Sequence, residues 1–150
     1  MATFASTLMI ARPIAHVFEF LCDPANLIEV TPPKYHMQLV QGPPRLHLGA
    51  VVSLQGRRWG VTQKIVSEIT RFEPDGLIVD EQREGPFKKW VHFHHLEVRD
   101  QGTLMTDRIE FETPGGLIGL VMTEALVKRE LEETFVYRQQ RFGELLEGKS

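Results

Sequence analysis

Cysteine is almost missing from this chain: Cys22 stands alone, so no disulfide can form within one molecule and a reducing compartment is expected. Long apolar runs are missing too. None approaches the ~20 residues a membrane-spanning helix needs, so no stable membrane insertion is expected. The opening Met1-Ala2-Thr3-Phe4 carries no charged stretch ahead of an apolar one, which argues against a secretory signal and for a cytoplasmic protein. An excess of positive charge is also lacking. Seventeen basic residues face twenty acidic ones, for a net charge of −3, which excludes an electrostatic footprint for nucleic acid. No phosphate-binding glycine loop, nucleophile elbow or paired Cys-x-x-Cys site is present, and no cofactor is expected.

What is present suits an ordinary globular domain. Hydrophobic residues make up 42% and charged residues 25% of 150, and a chain of this length buries roughly 68–70% of its unfolded surface. No repeat, low-complexity tract or linker divides it, so residues 1–150 read as one domain. Cys22 ends the apolar helical run Val17-Phe18-Glu19-Phe20-Leu21-Cys22 and reads as a packing residue rather than a reactive thiol.

Residues 3–10 alternate weakly and predict a first strand. Pro13 stands where a helix tolerates proline as its first residue, and a helix over Ile14–Leu21 follows, stopping at Asp23-Pro24. A second helical turn spans about 25–30. From 36 to 113 the pattern predicts strands near 36–41, 48–56, 60–72, 76–84, 87–98 and 103–113, separated by Gly42-Pro43-Pro44, Pro74-Asp75-Gly76, Gly85-Pro86 and Asp100-Gln101-Gly102. Short connections between consecutive strands imply an antiparallel meander. After Pro114-Gly115-Gly116 one long helix is expected over 117–147. Its stripe is Leu117, Leu120, Val121, Val127, Leu131, Phe135, Phe142 and Leu145. Its first half adds Ile118, Met122, Ala125 and Leu126 on further faces, which suits either two-sided packing or a cavity mouth or partner contact.

The most informative stretch is Lys89-Trp90-Val91-His92-Phe93-His94-His95-Leu96, followed by Thr103 to Phe111. Alternate strand residues share a face. Met105, Asp107, Ile109 and Phe111 therefore lie together, apolar except for Asp107. If the hairpin closes with Val98 opposite Thr103, Trp90 meets Phe111, His92 meets Ile109, His94 meets Asp107 and Leu96 meets Met105. A shift by two would put His92 opposite Asp107 and keep the same faces. A carboxylate there needs a partner, and an imidazole supplies one. The pair either specifies register in a packed core, lines a ligand cavity, or takes part in catalysis. His92-x-His94 with Asp107 also has a metal-like spacing, similar to the cupin strand motif. Gly85 stands one residue too far away and no fitting Glu follows, and His16, His36 and His47 add no supporting spacing. No metal is expected.

These residues resemble the START-like, or SRPBCC, superfamily, whose members share the helix-grip fold of the major birch pollen allergen. The opening signature is Ile10-x-x-Pro13-x-x-x-Val17-Phe18-x-Phe20-Leu21-x-Asp23-Pro24-x-Asn26-Leu27. Thr31-Pro32-Pro33, Asp80-x-Gln82, Gly85-Pro86-Phe87, Trp90-x-His92-x-His94, Asp107-Arg108-Ile109-x-Phe111 and Pro114-Gly115-Gly116 resemble a bacterial ligand-binding subgroup sometimes labelled cell division inhibitor. Leu96 stands where that subgroup usually has an aromatic residue, and Phe111 where tyrosine is common. The resemblance implies an α+β fold, a curved antiparallel sheet of about seven strands around a long C-terminal helix, with two short helices after the first strand. It also turns Asp80 and Gln82 inward, whereas periodicity alone equally allows Leu77, Val79 and Glu81.

The expected function is binding of a small hydrophobic or amphipathic molecule (lipid, polyketide or quinone-like) in a cavity between sheet and helix. Trp90, Met105, Ile109, Phe111, Leu117, Val121 and Gln82 would line it, with His92, His94 and Asp107 orienting a polar end. One alternative is a polyketide cyclase- or dehydratase-like enzyme with His94 as general base and Asp107 as its orienter. Another is a partner-binding regulatory module using the Ile118–Leu126 face. The ligand is the expected partner of a monomer or homodimer.

Overall fold

The computed structural model describes residues 1–58 and 60–148. Strand β1 (Ala2–Ile10) leads into helices α1 (Ile14–Cys22) and α2 (Pro24–Glu29) and a single 3-10 turn, Pro33–Tyr35. Six strands follow: β2 (Gln38–Gln41), β3 (Val51–Arg58), β4 (Val61–Glu73), β5 (Leu77–Glu84), β6 (Lys89–Arg99) and β7 (Gly102–Glu112). Helices α3 (Gly116–Val121) and α4 (Glu124–Glu147) close the chain.

The seven strands form one antiparallel sheet ordered β1-β7-β6-β5-β4-β3-β2. The expected meander runs from β2 to β7, and β1 joins its far edge beside β7. Asp75 and Asp100 take left-handed backbone at the two tight turns, φ 58° and 56°, a conformation that short polar side chains tolerate. Gly102 is required for space rather than for φ: a Cβ there would lie 2.4 Å from the Ile10 carbonyl oxygen. Register shifts interrupt the β4–β5 pairing between Val66 and Ser67 and between Ile69 and Arg71, irregularities of the kind that bend a long strand.

Two expectations change at the helices. Pro13 is not the first helical residue but the extended residue before it, and its carbonyl accepts from His16 and Val17. Pro24 takes the first-turn position instead, in α2, which Asp23 caps through its side chain. The predicted helix over 117–147 is two helices. Thr123 turns to extended backbone and its hydroxyl accepts from the Leu126 amide at 3.2 Å. This cap starts α4 afresh and leaves α3 as a separate turn and a half. Leu117, Leu120 and Val121 consequently stand 82%, 75% and 67% exposed. The buried stripe of α4 is Val127, Leu131, Phe135, Arg138, Phe142 and Leu146, with Leu145 on the exposed side.

α4 is held from both flanks. Gln139 donates to the Ser6 hydroxyl and the Thr7 carbonyl of β1, both at 3.1 Å. On the other side the Tyr35 hydroxyl donates to Glu130 at 2.6 Å, and Arg141 donates to the Glu29 carbonyl at 3.0 Å. Below the helix lie two apolar clusters. One joins Val17, Phe18, Cys22 and Ile10 to Phe142 and Leu146. The other joins Ile109, Phe111 and the half-buried Trp90, Phe87 and Phe4 to Val127, Leu131 and Phe135. Cys22 is fully buried, and burial pushes its thiol up to about 11. No described helix is long and apolar enough to cross a membrane.

Candidate functional site

Between the two apolar clusters the sheet carries charge. The register places Trp90 opposite Phe111, His92 opposite Ile109, His94 opposite Asp107 and Val98 opposite Thr103, the first of the two alignments considered from sequence. Two rows then cross the inner face: Phe4, Ile109, His92, Asp80 and Ile69, and beside it Ser6, Asp107, His94, Ile78 and Phe72. The open question about β5 is thereby answered. Ile78, Asp80 and Gln82 face inward, while Leu77 and Val79 join Val91 and Phe93 in a small apolar strip.

The hydrogen bonds do not run along the rows but across them. His92 Nε2 donates to Asp107 Oδ1 at 2.7 Å, and His94 Nε2 donates to Asp80 Oδ2 at 2.8 Å. Each imidazole thus bonds the carboxylate diagonal to it, a distance within reach of long side chains across a twisted sheet. The two rings stack, centroids 3.7 Å apart. Although His94 faces Asp107 directly, its Nδ1 lies 3.4 Å from Oδ1 and makes no hydrogen bond. Asp80, not Asp107, therefore orients His94.

A fifth residue completes the group. Arg138 of α4 is 5% exposed, and its Nη2 lies 3.7 Å from Asp107 Oδ1. Sequence reasoning passed over it, although the spacing Leu131, Phe135, 138, Phe142 puts position 138 on the apolar stripe. A cation on such a stripe is the signal that could have found it.

Burial opposes every charge here, and the partners decide the outcome. Burial works against a charged His94, but the Asp107 and Asp80 carboxylates outweigh it and push its pKa up to about 9. His92 goes the other way: burial and the neighbouring His94 charge hold it below its ordinary value despite Asp107. Asp107 and Asp80 stay ionised against burial, held down by the histidines and Arg138. At neutral pH the group comprises two carboxylates, two cations and one neutral imidazole, His92. His94 is thus a hydrogen-bond donor at that pH rather than a base.

Asp80, His92 and His94 each offer a ligand atom within 4.8 Å of the others. Their geometry suits an ion-pair cluster better than a metal centre. The Nε2 atoms of both histidines are already taken by hydrogen bonds to Asp107 and Asp80, and the Arg138 cation stands beside them.

Of the residues expected at the site, Met105, Asp107, Ile109 and Phe111 are buried on the inner face. His92 and His94 are each 9% exposed. Trp90 packs on Phe87 at 4.6 Å and Phe111 at 5.9 Å, and Gln82 anchors that corner by donating to the Phe87 carbonyl at 2.7 Å. Leu117 and Val121 are not brought in, because α3 points them to solvent. The expected roomy cavity is not found beside the cluster: the crevice between Asp107, Arg138, Ser6, Leu8, Met105 and Phe142 leaves no room for a water. A groove of about 260 Å³ lies outside it, between β1 and the C-terminal half of α4.

Solved structures share this architecture across nearly the whole chain. The crystal structure of Ara h 8.0201 matches with a TM-score of 0.71 at 15% identity, covering 99% of both chains. Protein CV1439 from Chromobacterium violaceum matches at 0.76 and 12%, covering 97% of this chain and 96% of that one. Major latex-like protein 151 from Panax ginseng matches at 0.65 and 18%, covering 93% and 95%. No curated protein sequence matches. The fold shared with these structures is a helix grip, a curved antiparallel sheet around the long α4. The model of the polyketide cyclase/dehydrase and lipid transport family matches residues 10–139, and the chain belongs to that family.

Proposed function

We propose that this protein binds a small amphipathic molecule, of the lipid, polyketide or quinone type, between its sheet and α4. The observation that carries this reading is the group of buried His92, His94, Asp107 and Arg138 with half-buried Asp80, lying between two apolar clusters with three polar atoms that make no hydrogen bond: His94 Nδ1, Arg138 Nε and Arg138 Nη2. A core built only for stability gains little from such a group, since buried ion pairs barely offset their desolvation. Convergent polar atoms among apolar walls are what ligand sites use. Trp90, Met105, Ile109 and Phe111 supply contact area, and the charged group orients the polar end. Leu117 and Val121 have no part in it. Because the crevice at the group has no room for a water, uptake requires α4 to part from β1 and open space beside it, a rearrangement of the kind a minority of complexes undergo. We place the protein, as a single domain without a cofactor, in the cytoplasm.

Native mass spectrometry of protein purified from its own cells, followed by denaturing extraction, tests this. A stoichiometric adduct that is lost in folded Trp90→Ala is expected. An apo mass together with no uptake from a panel of lipids, polyketides and quinones overturns the reading.

One observation favours a second reading, proton transfer. A neutral His92 that donates through Nε2 to an ionised Asp107 keeps its lone pair on Nδ1. The base of an enolising enzyme would therefore be His92, with His94 and Arg138 as donors to the developing oxyanion. Unchanged turnover of a β-polyketone by folded His92→Ala excludes it.

A further inference from the structure

Arg138 sits with its guanidinium between the Phe135 and Phe142 rings, 5.1 and 5.2 Å from their centroids. A buried guanidinium ordinarily satisfies its five N–H groups with acceptors. Here Nε and Nη2 have no hydrogen-bond partner, and these are the two nitrogens whose hydrogens project along one edge of the plane. Such an edge receives the two oxygens of a carboxylate in parallel. Asp107 does not fill it, because its Oδ1 is 3.7 Å from Nη2 and bonded to His92 at 2.7 Å.

We infer that the Nε–Nη2 edge of Arg138 holds the carboxylate of a small organic acid with an apolar body, an inference that rests on the binding reading above. The crevice beside Arg138 is walled by Leu8, Met105, Phe135 and Phe142. It shares Leu8 and Gln139 with the groove between β1 and α4. The acid enters there, past the two hydrogen bonds that Gln139 makes to β1. A groove of about 260 Å³ falls below the roughly 300–1,000 Å³ of sites for larger ligands, so the body is a medium-length chain or one or two rings.

Charge balance adds a signature. Asp80 and Asp107 offset His94 and Arg138, Ser6 of β1 and Gln139 of α4 face the group without charge, and Glu144 and Glu147 stand farther out along the groove. A bound carboxylate adds one negative charge, and the neutral His92 is the group placed to take up a proton in response. An alcohol with the same body adds no charge and recruits no proton.

Isothermal titration at pH 7 with decanoate and decan-1-ol, in two buffers of different ionisation heat, tests this. Expected are decanoate binding at least about tenfold tighter than the alcohol, with net proton uptake that the alcohol does not show. In Arg138→Lys, which keeps the charge but loses the edge, the acid-to-alcohol preference falls. Equal affinity for acid and alcohol in the wild-type protein overturns the carboxylate inference and leaves the binding reading standing. Undiminished decanoate affinity in Arg138→Lys overturns it too. Failure of both probes to bind counts against both. The acid-to-alcohol comparison needs only wild-type protein, so it decides the matter even where the variant does not fold.

Discussion

Replacing Asp107 by Asn changes a charge and almost no volume, which makes it a clean probe of the buried group. Asp107 Oδ1 lies 2.7 Å from His92 Nε2, 3.4 Å from His94 Nδ1 and 3.7 Å from Arg138 Nη2. At an effective dielectric near 20, each of the two cations at those distances is attracted by about 4–5 kcal/mol before desolvation is subtracted. Asn still accepts from His92, so the loss is the charge. It leaves His94 and Arg138 sharing Asp80, an imbalance of the kind that costs about 3–5 kcal/mol. The cost must depend on pH in a definite sense. His94 is raised from 6.5 to about 9, so its contribution to stability is complete below 6.5 and is lost as pH rises through 9. The variant, whose His94 has lost one supporting carboxylate, should show little of that decline. Urea unfolding followed by circular dichroism should therefore give the largest gap between wild type and Asp107→Asn near pH 6, narrowing by pH 9.5. A gap below about 1 kcal/mol at both values, or one that widens with pH, refutes the reasoning. Asp107→Asn combined with Arg138→Met should cost less than the sum of the single changes.

Nuclear magnetic resonance should find one inner histidine titrating near 9 and the other neutral until below its ordinary 6.5, and exchange of these assignments between His94 and His92 counts against the geometry. Because Asp80 and Asp107 are lowered from 3.8, their contribution should fade only as the pH falls below about 4, giving a steep acid limb in a plot of melting temperature. Phe111→Ala, at a fully buried position, should cost about 3–5 kcal/mol by urea unfolding, whereas Leu117→Ser, 82% exposed, should stay within about 0.5 kcal/mol. Cys22 should resist a thiol reagent in the native protein and react on unfolding, as its burial and raised pKa require.

The meander from β2 to β7 and the faces of Asp107 and the two histidines were legible because alternation and turn residues are local properties. The β6–β7 register was narrowed to two alignments that share those faces, and the assembled sheet selects Val98 opposite Thr103. Which imidazole bonds which carboxylate was not legible, because the twist that makes His92 reach Asp107 and His94 reach Asp80 belongs to the assembled sheet. Arg138 was hidden by its type, since a lone arginine on a helix is usually solvated. The helix break was signalled by Thr123 followed by Glu124, a cap with an acid in the first turn. The apolar period of Leu117, Leu120 and Val121 runs on without a visible interruption and masked it. Those three side chains then lost their expected place because α3 runs separately from α4.

The crossed pairing of His92 with Asp107 and His94 with Asp80 has a consequence for how the chain finds its alignment. Alternation of apolar and polar residues rejects any displacement of β6 by one position, since that would turn the whole strand inside out. It is blind to a displacement by two, which keeps every face and most apolar contacts. Such a slip would carry at least one imidazole away from its carboxylate and strand a charge in the interior, at about the cost estimated above for losing Asp107. The four residues thus act as a proofreading key for strand alignment, and mispaired sheets trapped during refolding should accumulate when one tooth of the key is removed.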